Sequence, residues 1–465
     1  MKKNLFFVAA AALALTACSS DNEVTQSAPQ LQSGPQAVAF DTYVPNVTRA
    51  DTWVGKPGVM TTTTLKAANG GFGVFATYSD GTPGAYTATQ GPNFMYNQKV
   101  SWNSTSLGWE YAPLKYWPNE TKQDSQGATM DTRVDKLTFF AYAPYVASSS
   151  TNAADGELDG VTYSTDTPAA DQYGIIKVTP NTIGTVGVTD PKVTYRVSKD
   201  PAKTVDLLWG VAPAGGLSYA TVDPSYTAGS PASATLTVAE GMPLIDLIKP
   251  NKDQKMKFLF RHALSRINFT VVGAFDQIAP GGNKDANTKV LVEKVDVLEG
   301  TAGSIKTDGV LNLNNGTAWV ANWESTTGSN YTSAPLFSVS GDAITASILD
   351  AGVENFDDQP DGVTTAETPL FADATKFFAV IPNDGTKFVF EITYYVQTKD
   401  AALAGDVDGS RIKNVVRVPV TIDLKNNKSY NFRLILGLTS VKLAAEVADW
   451  ELAGDVDANL PRNNE

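Results

Sequence analysis

Two residue types that build many chemical sites are almost missing. The 465 residues hold one cysteine, Cys18, and one histidine, His262. A lone cysteine cannot close an internal disulfide. A metal centre would have to be made almost wholly from oxygen ligands. No Walker loop and no dinucleotide fingerprint occurs, so the common phosphate cradles are excluded and no cofactor is expected. No apolar run reaches the ~20 residues that a membrane-spanning helix needs. Heptad and 3.6-residue periodicities are absent as well, which argues against helical bundles. Positive charge is in deficit: 36 Lys and Arg stand against 49 Asp and Glu, a net charge of −13. Such a chain does not bind nucleic acid or anionic lipid through bulk charge.

The remaining candidates for chemistry have plainer readings. His262 sits in Phe258-Leu259-Phe260-Arg261-His262-Ala263-Leu264, crowded by apolar residues, with no identifiable nucleophile or orienting acid beside it. It reads as a packed, hydrogen-bonded structural histidine. Asp357-Asp358-Gln359-Pro360-Asp361-Gly362 has the look of a calcium loop, but its twelfth position is Thr368 rather than Glu. Gly405-Asp406-Val407-Asp408-Gly409 is shorter still. Both read as solvated turns, leaving no metal site. Trp102, Trp109, Tyr111, Tyr116 and Trp117 would suit a carbohydrate platform. Aromatics packing a large sandwich look the same, and the core reading is preferred. Acid pairs for glycoside hydrolysis abound, but no two stand out. No catalytic residue emerges, and the chain does not read as an enzyme.

What is present begins at the N-terminus. Lys2 and Lys3 precede an uninterrupted apolar run, Leu5 to Leu15, and residues 1–17 read as a signal peptide to be set aside from the fold. Leu15-Thr16-Ala17-Cys18 resembles the lipobox of bacterial lipoproteins. That resemblance implies diacylglycerol on the sulfur of Cys18 and anchoring in outer-membrane lipid. Ser19-Ser20-Asp21-Asn22-Glu23 is similar to the surface-export signal of Bacteroidales lipoproteins. Residues 19–36, rich in Ser, Gln, Pro and Gly, have too little apolar content to order themselves and serve as a tether.

The rest of the chain has the pattern of an all-β protein. Strand-length, roughly alternating segments recur at Gly73–Tyr78, Leu137–Tyr142, Lys289–Val297, Phe388–Val396 and Val415–Ile422, bounded by Gly, Asn, Asp or Pro. Tyr430, Phe432, Leu434 and Leu436 alternate on one strand and Val441, Leu443, Ala445 and Val447 on the next, a hairpin-like end. Few helical patterns intervene, so β-sandwiches are expected. A charged breaker stretch, Ile248 to Lys255, divides the chain. Residues 18–49 are then the lipidated leader, 50–248 the first domain and 255–465 the second.

Several motifs in order resemble the fimbrillin-like family of Bacteroidales, pilus subunits assembled from lipoprotein precursors. They are Lys115-Tyr116-Trp117-Pro118, Phe139 to Pro144, Asp206-Leu207-Leu208-Trp209, Phe260 to Phe269, Phe377 to Pro382, and Gly437-Leu438 leading to Val447-Ala448-Asp449-Trp450. The resemblance implies two tandem transthyretin-like β-sandwich domains. It also gives Thr48-Arg49-Ala50, after the extended segment Val38 to Val44, the meaning of a cleavage site for an Arg-specific protease between Arg49 and Ala50. Cleavage would remove the first strand as a propeptide. The resulting groove would be filled by donor-strand exchange, with Leu443, Val447, Leu452, Val456 and Leu460 as apolar anchors of the donor. Partners would be other pilus subunits and a host or bacterial surface ligand, on the cell outer membrane first and in the fimbrium after maturation. The alternative is an uncleaved, surface-anchored lipoprotein that binds carbohydrate or acts as an adhesin.

Overall fold

The computed structural model describes residues 37–44, 60–67, 70–80, 86–88, 91–118, 121–123, 129–131, 135–147, 172–179, 190–222, 233–250, 255–273, 288–340, 368–369, 378–398, 410–436 and 441–449. In chain order the strands are β1 (Phe40–Tyr43), β2 (Phe72–Asp80), β3 (Met95–Asn103), β4 (Gly108–Glu110), β5 (Thr121–Gln123), β6 (Thr129–Asp131), β7 (Asp135–Ala143), β8 (Gly174–Thr179) and β9 (Lys192–Arg196). Next come β10 (Leu208–Val211), β11 (Leu217–Val222), β12 (Ser233–Val238), β13 (Leu244–Leu247), β14 (Met256–His262), β15 (Ser265–Gly273), β16 (Thr288–Glu299), β17 (Asp308–Asn312) and β18 (Asn322–Thr327). The last are β19 (Phe337–Ser340), β20 (Thr368–Pro369), β21 (Phe378–Val380), β22 (Thr386–Thr398), β23 (Ser410–Ile422), β24 (Lys428–Leu436) and β25 (Val441–Asp449). A short α-helix, α1 (Thr62–Leu65), is capped by Thr61, whose hydroxyl accepts from the Thr64 N–H. The all-β class expected from the alternation is the class observed.

The largest sheet runs β1-β14-β10-β7-β2-β3-β4, with β13 beside β7. Its central strands carry apolar residues at successive positions, as in Leu137-Thr138-Phe139-Phe140-Ala141-Tyr142. Strict alternation would bury one face, whereas this pattern buries both. Phe75, Phe140, Tyr142 and Trp209 fill one core. Phe72, Val74, Phe139, Phe258 and Phe260 fill the other. Gly210 lies between β7 and β14, where a β-carbon would come 2.9 Å from the Phe258 ring and 3.0 Å from Ala141. Any larger residue would force the Phe258 ring or β7 to shift.

A second sheet, β18-β17-β9-β8, closes over the first core with Val193 and Tyr195. The third and fourth sheets, β20-β15-β24-β25 with β21 beside β15, and β19-β16-β22-β23, face each other as a sandwich. Phenylalanines join them: Phe390 lies 5.0 Å and Phe388 5.8 Å from Phe432, ring centre to ring centre. The hairpin-like end expected from the sequence is β24 paired antiparallel with β25, Leu434 opposite Leu443 and Tyr430 opposite Val447. β23 forms the free edge of the fourth sheet among the described residues, with Pro419 in it and two outward ion pairs, Lys413–Glu293 at 2.9 Å and Arg417–Glu391 at 2.6 Å.

Hydrogen bonding does not follow the expected division at residues 248–255. β14, expected to open the second domain, pairs with β1 and β10 in the first sheet. The reason is its inward face, because Met256, Phe258 and Phe260 complete the aromatic core built by Phe72 and Phe139. The second sheet also crosses the boundary: β9 pairs with β17, Arg196 opposite Asp308, and the two side chains meet at 2.8 Å.

The buried junction between these parts is polar. Asp206, 1% exposed, accepts from His262 Nδ1 at 2.8 Å and from the Met60 N–H at 2.9 Å through Oδ2, and from the Leu207 N–H at 2.8 Å through Oδ1. The His262 N–H donates to Asn427 Oδ1 at 3.3 Å, and the Asn427 N–H donates to the Leu264 carbonyl at 3.1 Å. His262 is thus a fully buried histidine anchored by an acid 56 positions away. Asp206→Asn keeps the shape but turns one acceptor into a donor, facing a buried N–H. It should cost roughly 2–3 kcal/mol in denaturant unfolding. Asp384→Asn, which removes the exposed charge partner of Lys425, should cost under about 1 kcal/mol.

Candidate functional site: the strand before Arg49

β1 is short, yet its inward side chains are almost completely buried. Val38, Phe40, Thr42 and Val44 are each exposed by 3% or less, while Asp41 between them faces solvent. The alternation in Val38-Ala39-Phe40-Asp41-Thr42-Tyr43-Val44 produces this directly. The Phe40 ring is held on four sides, 5.6 Å from Tyr111, 5.7 Å from Phe139, 6.0 Å from Phe258 and 6.3 Å from Phe72.

The backbone of this segment is held along both edges. On one side β1 runs parallel to β14, Phe40 opposite Met256 and Tyr43 opposite Leu259, and the Met256 N–H donates to the Ala39 carbonyl at 2.8 Å. On the other side the Val38 N–H donates to the Lys115 carbonyl at 2.8 Å, and Tyr111 Oη–H donates to the Val38 carbonyl at 2.8 Å. Burial pushes the Tyr111 phenol above its ordinary pKa, which keeps it a donor. At the far end Val44 is tied to Thr62 by two bonds: its N–H donates to Thr62 Oγ1 at 3.0 Å, and that hydroxyl donates to its carbonyl at 2.7 Å.

The expected site residues divide between described and undescribed parts of the chain. Cys18, Arg49, Ala50, Leu452, Val456 and Leu460 lie outside the described residues. Arg49 and Ala50 fall between two fixed points, Val44 and Thr62. Leu443 and Val447 lie on β25, paired with β24 in the chain's own sheet, and Val447 is about half exposed. The structure therefore keeps β25 at the edge of the third sheet and does not bring it to β1. Of the aromatic stretch, Trp109 and Trp117 are buried, Trp102 and Tyr111 are half-buried against the same core, and Tyr116 is exposed. Packing rather than a sugar platform explains most of it. The loops at 357–362 and 405–409 lie outside the described residues, and no group of three or more potential metal-ligating side chains occurs among the described ones.

Sequence reasoning found the segment Val38 to Val44 but missed what holds it. Phe40 carries the readable signal, an aromatic at the centre of an alternating run. Tyr111, Lys115 and Thr62 carry none, since nothing local distinguishes a tyrosine that caps a distant strand from one that fills a core.

No family model matches the sequence. Over 146 residues the chain is 36% identical to the fimbrium subunit Fim1C of Phocaeicola vulgatus, a stretch that spans 31% of this chain and 31% of that protein. The fold matches the crystal structure of a fimbrial protein from Bacteroides vulgatus with a TM-score of 0.51, at 18% identity, over 89% of this chain and 99% of that one. The chain is thus similar to fimbrial proteins of Bacteroidales, in fold along most of its length and in sequence over about a third of it.

Proposed function

We propose that the chain is a structural fimbrial subunit rather than an enzyme, made as an outer-membrane lipoprotein and activated when an Arg-specific protease cuts between Arg49 and Ala50. The observation that carries this reading is the position of β1. It is the last strand of its sheet, it lies just before Arg49 in sequence, and its inward side chains reach deep into one core. The name of the curated relative, a fimbrium subunit, supports the same reading.

The physics of activation follows from that position. Loss of β1 would uncover the rings of Phe72, Tyr111, Phe139 and Phe258 and leave the edge of β14 unpaired. Such an edge is a template for another strand. A strand of a neighbouring subunit would regain the main-chain bonds and fill the side-chain pockets. The proposed donor is the C-terminal segment from Val441, with Leu443, Val447, Leu452, Val456 and Leu460 as anchors. β25 now makes a nine-residue ladder with β24, so leaving it exchanges one set of strand pairs for another. Before cutting, Cys18 would hold the precursor to lipid. Afterwards the subunit would belong to the fimbrium, joined to other subunits and contributing to adhesion.

Two measurements test the pathway. Cys18→Ala should bring incorporation of a fatty-acid probe down to background, and equal labelling of the variant would reject lipidation there. Limited digestion with an Arg-specific protease should yield a species beginning at Ala50 that forms heat-stable oligomers, whereas Arg49→Ala should give neither. Ordered fibres from the Arg49→Ala protein would instead favour the uncleaved, anchored adhesin.

A further inference from the structure

Thr42 breaks the pattern of its strand. Its three companions on the inward face, Val38, Phe40 and Val44, are hydrocarbon, and all lie in the same buried cluster. Thr42 is 3% exposed, opposite Phe258 in the parallel ladder, and its hydroxyl finds no hydrogen-bond partner among the described residues. The backbone N–H of the same residue is satisfied by Asp41 Oδ1 at 2.9 Å, so only the side chain is left without a partner. A buried hydroxyl that has given up water and gained nothing is a net loss, whereas a methyl group of the same shape in the same place is not.

We infer that the position of Thr42 is a selectivity subsite of the β1 groove, built to take an aliphatic side chain and filled suboptimally by the strand that comes with the chain. The inference rests on the reading that β1 leaves after cleavage. A resident strand with a perfect fit would resist replacement, because exchange proceeds only if the incoming strand binds more tightly than the outgoing one. Phe40 anchors the resident strand through its four ring contacts. Thr42 lowers that hold while the ladder runs on through it. The occupant that this subsite favours is the strand of a neighbouring subunit with valine, isoleucine or leucine in register with Phe258.

Competition at the groove tests this directly. Protein cut after Arg49 is incubated with an equimolar mixture of two synthetic peptides covering residues 37–48, the natural sequence and its Thr42→Val form. The bound peptide is then identified by native mass spectrometry. The Thr42→Val peptide should be enriched roughly tenfold, the ratio expected when one buried unpaired hydroxyl is removed. Equal occupancy, preference for the natural peptide, or no exchange of either overturns the inference. In the uncut chain Thr42→Val should raise the thermal midpoint, while Thr42→Ser, which keeps the hydroxyl, should not. A lower midpoint for Thr42→Val overturns it too. Selective exchange in a cut protein that stays monomeric with every partner subunit supplied would leave the subsite standing and reject the fimbrial-subunit reading.

Discussion

The large sheet is pressed between two aromatic cores, and its central strands place side chains in both. β7 sends Phe139 one way and Phe140 the other, and β10 does the same with Leu208 and Trp209. Removing such a strand would expose large apolar residues on two faces at about 1.5–3 kcal/mol each. Only an edge strand gives up one face alone. β1 is such an edge, with Asp41 on its outward side. Of the sheet's two ends, β1 is also the one supplied by the beginning of the chain, so a single cut in the segment that follows would detach it from everything C-terminal.

The same architecture explains where polar chemistry was put. Three chain segments meet where β14 ends at His262, and backbone N–H groups there would otherwise be orphaned. Asp206 gathers Met60, Leu207 and His262, and Asn427 closes the circuit from the other side. The resulting knot fixes the chain at Met60, on the far side of the segment that contains Arg49. Losing β1 would therefore leave the anchor of the remaining chain in place.

The sequence showed strands far better than it showed their partners. Gly73–Tyr78, Leu137–Tyr142, Phe388–Val396 and the final hairpin could all be read, because alternation and turn residues are local signals. The β9–β17 ladder pairs residues more than a hundred positions apart, and nothing near Lys192 or Asp308 announces it. β14 is legible as a strand, but its partners β1 and β10 are not. Its breaker stretch at 248–255 looks like a boundary, while the fit of Met256, Phe258 and Phe260 into a core made elsewhere is invisible in one dimension. In the candidate site, Val38 to Val44 was legible for the same local reason as the other strands. The grip of Tyr111 and Thr62 was not, since each acts through a single hydroxyl on a distant backbone.

β23 has a consequence for how copies of this chain meet one another. It is thirteen residues long, and among the described residues no strand pairs with its outer side. A bare edge of that length would ordinarily recruit neighbours and fuse adjacent molecules side by side. Pro419 offers no N–H to an approaching backbone, and the exposed side chains of Lys413 and Arg417 keep the strand charged. Sideways adhesion between like molecules is thereby discouraged along this flank. Copies of the chain at high concentration can then stay separate along this edge instead of joining into extended sheets.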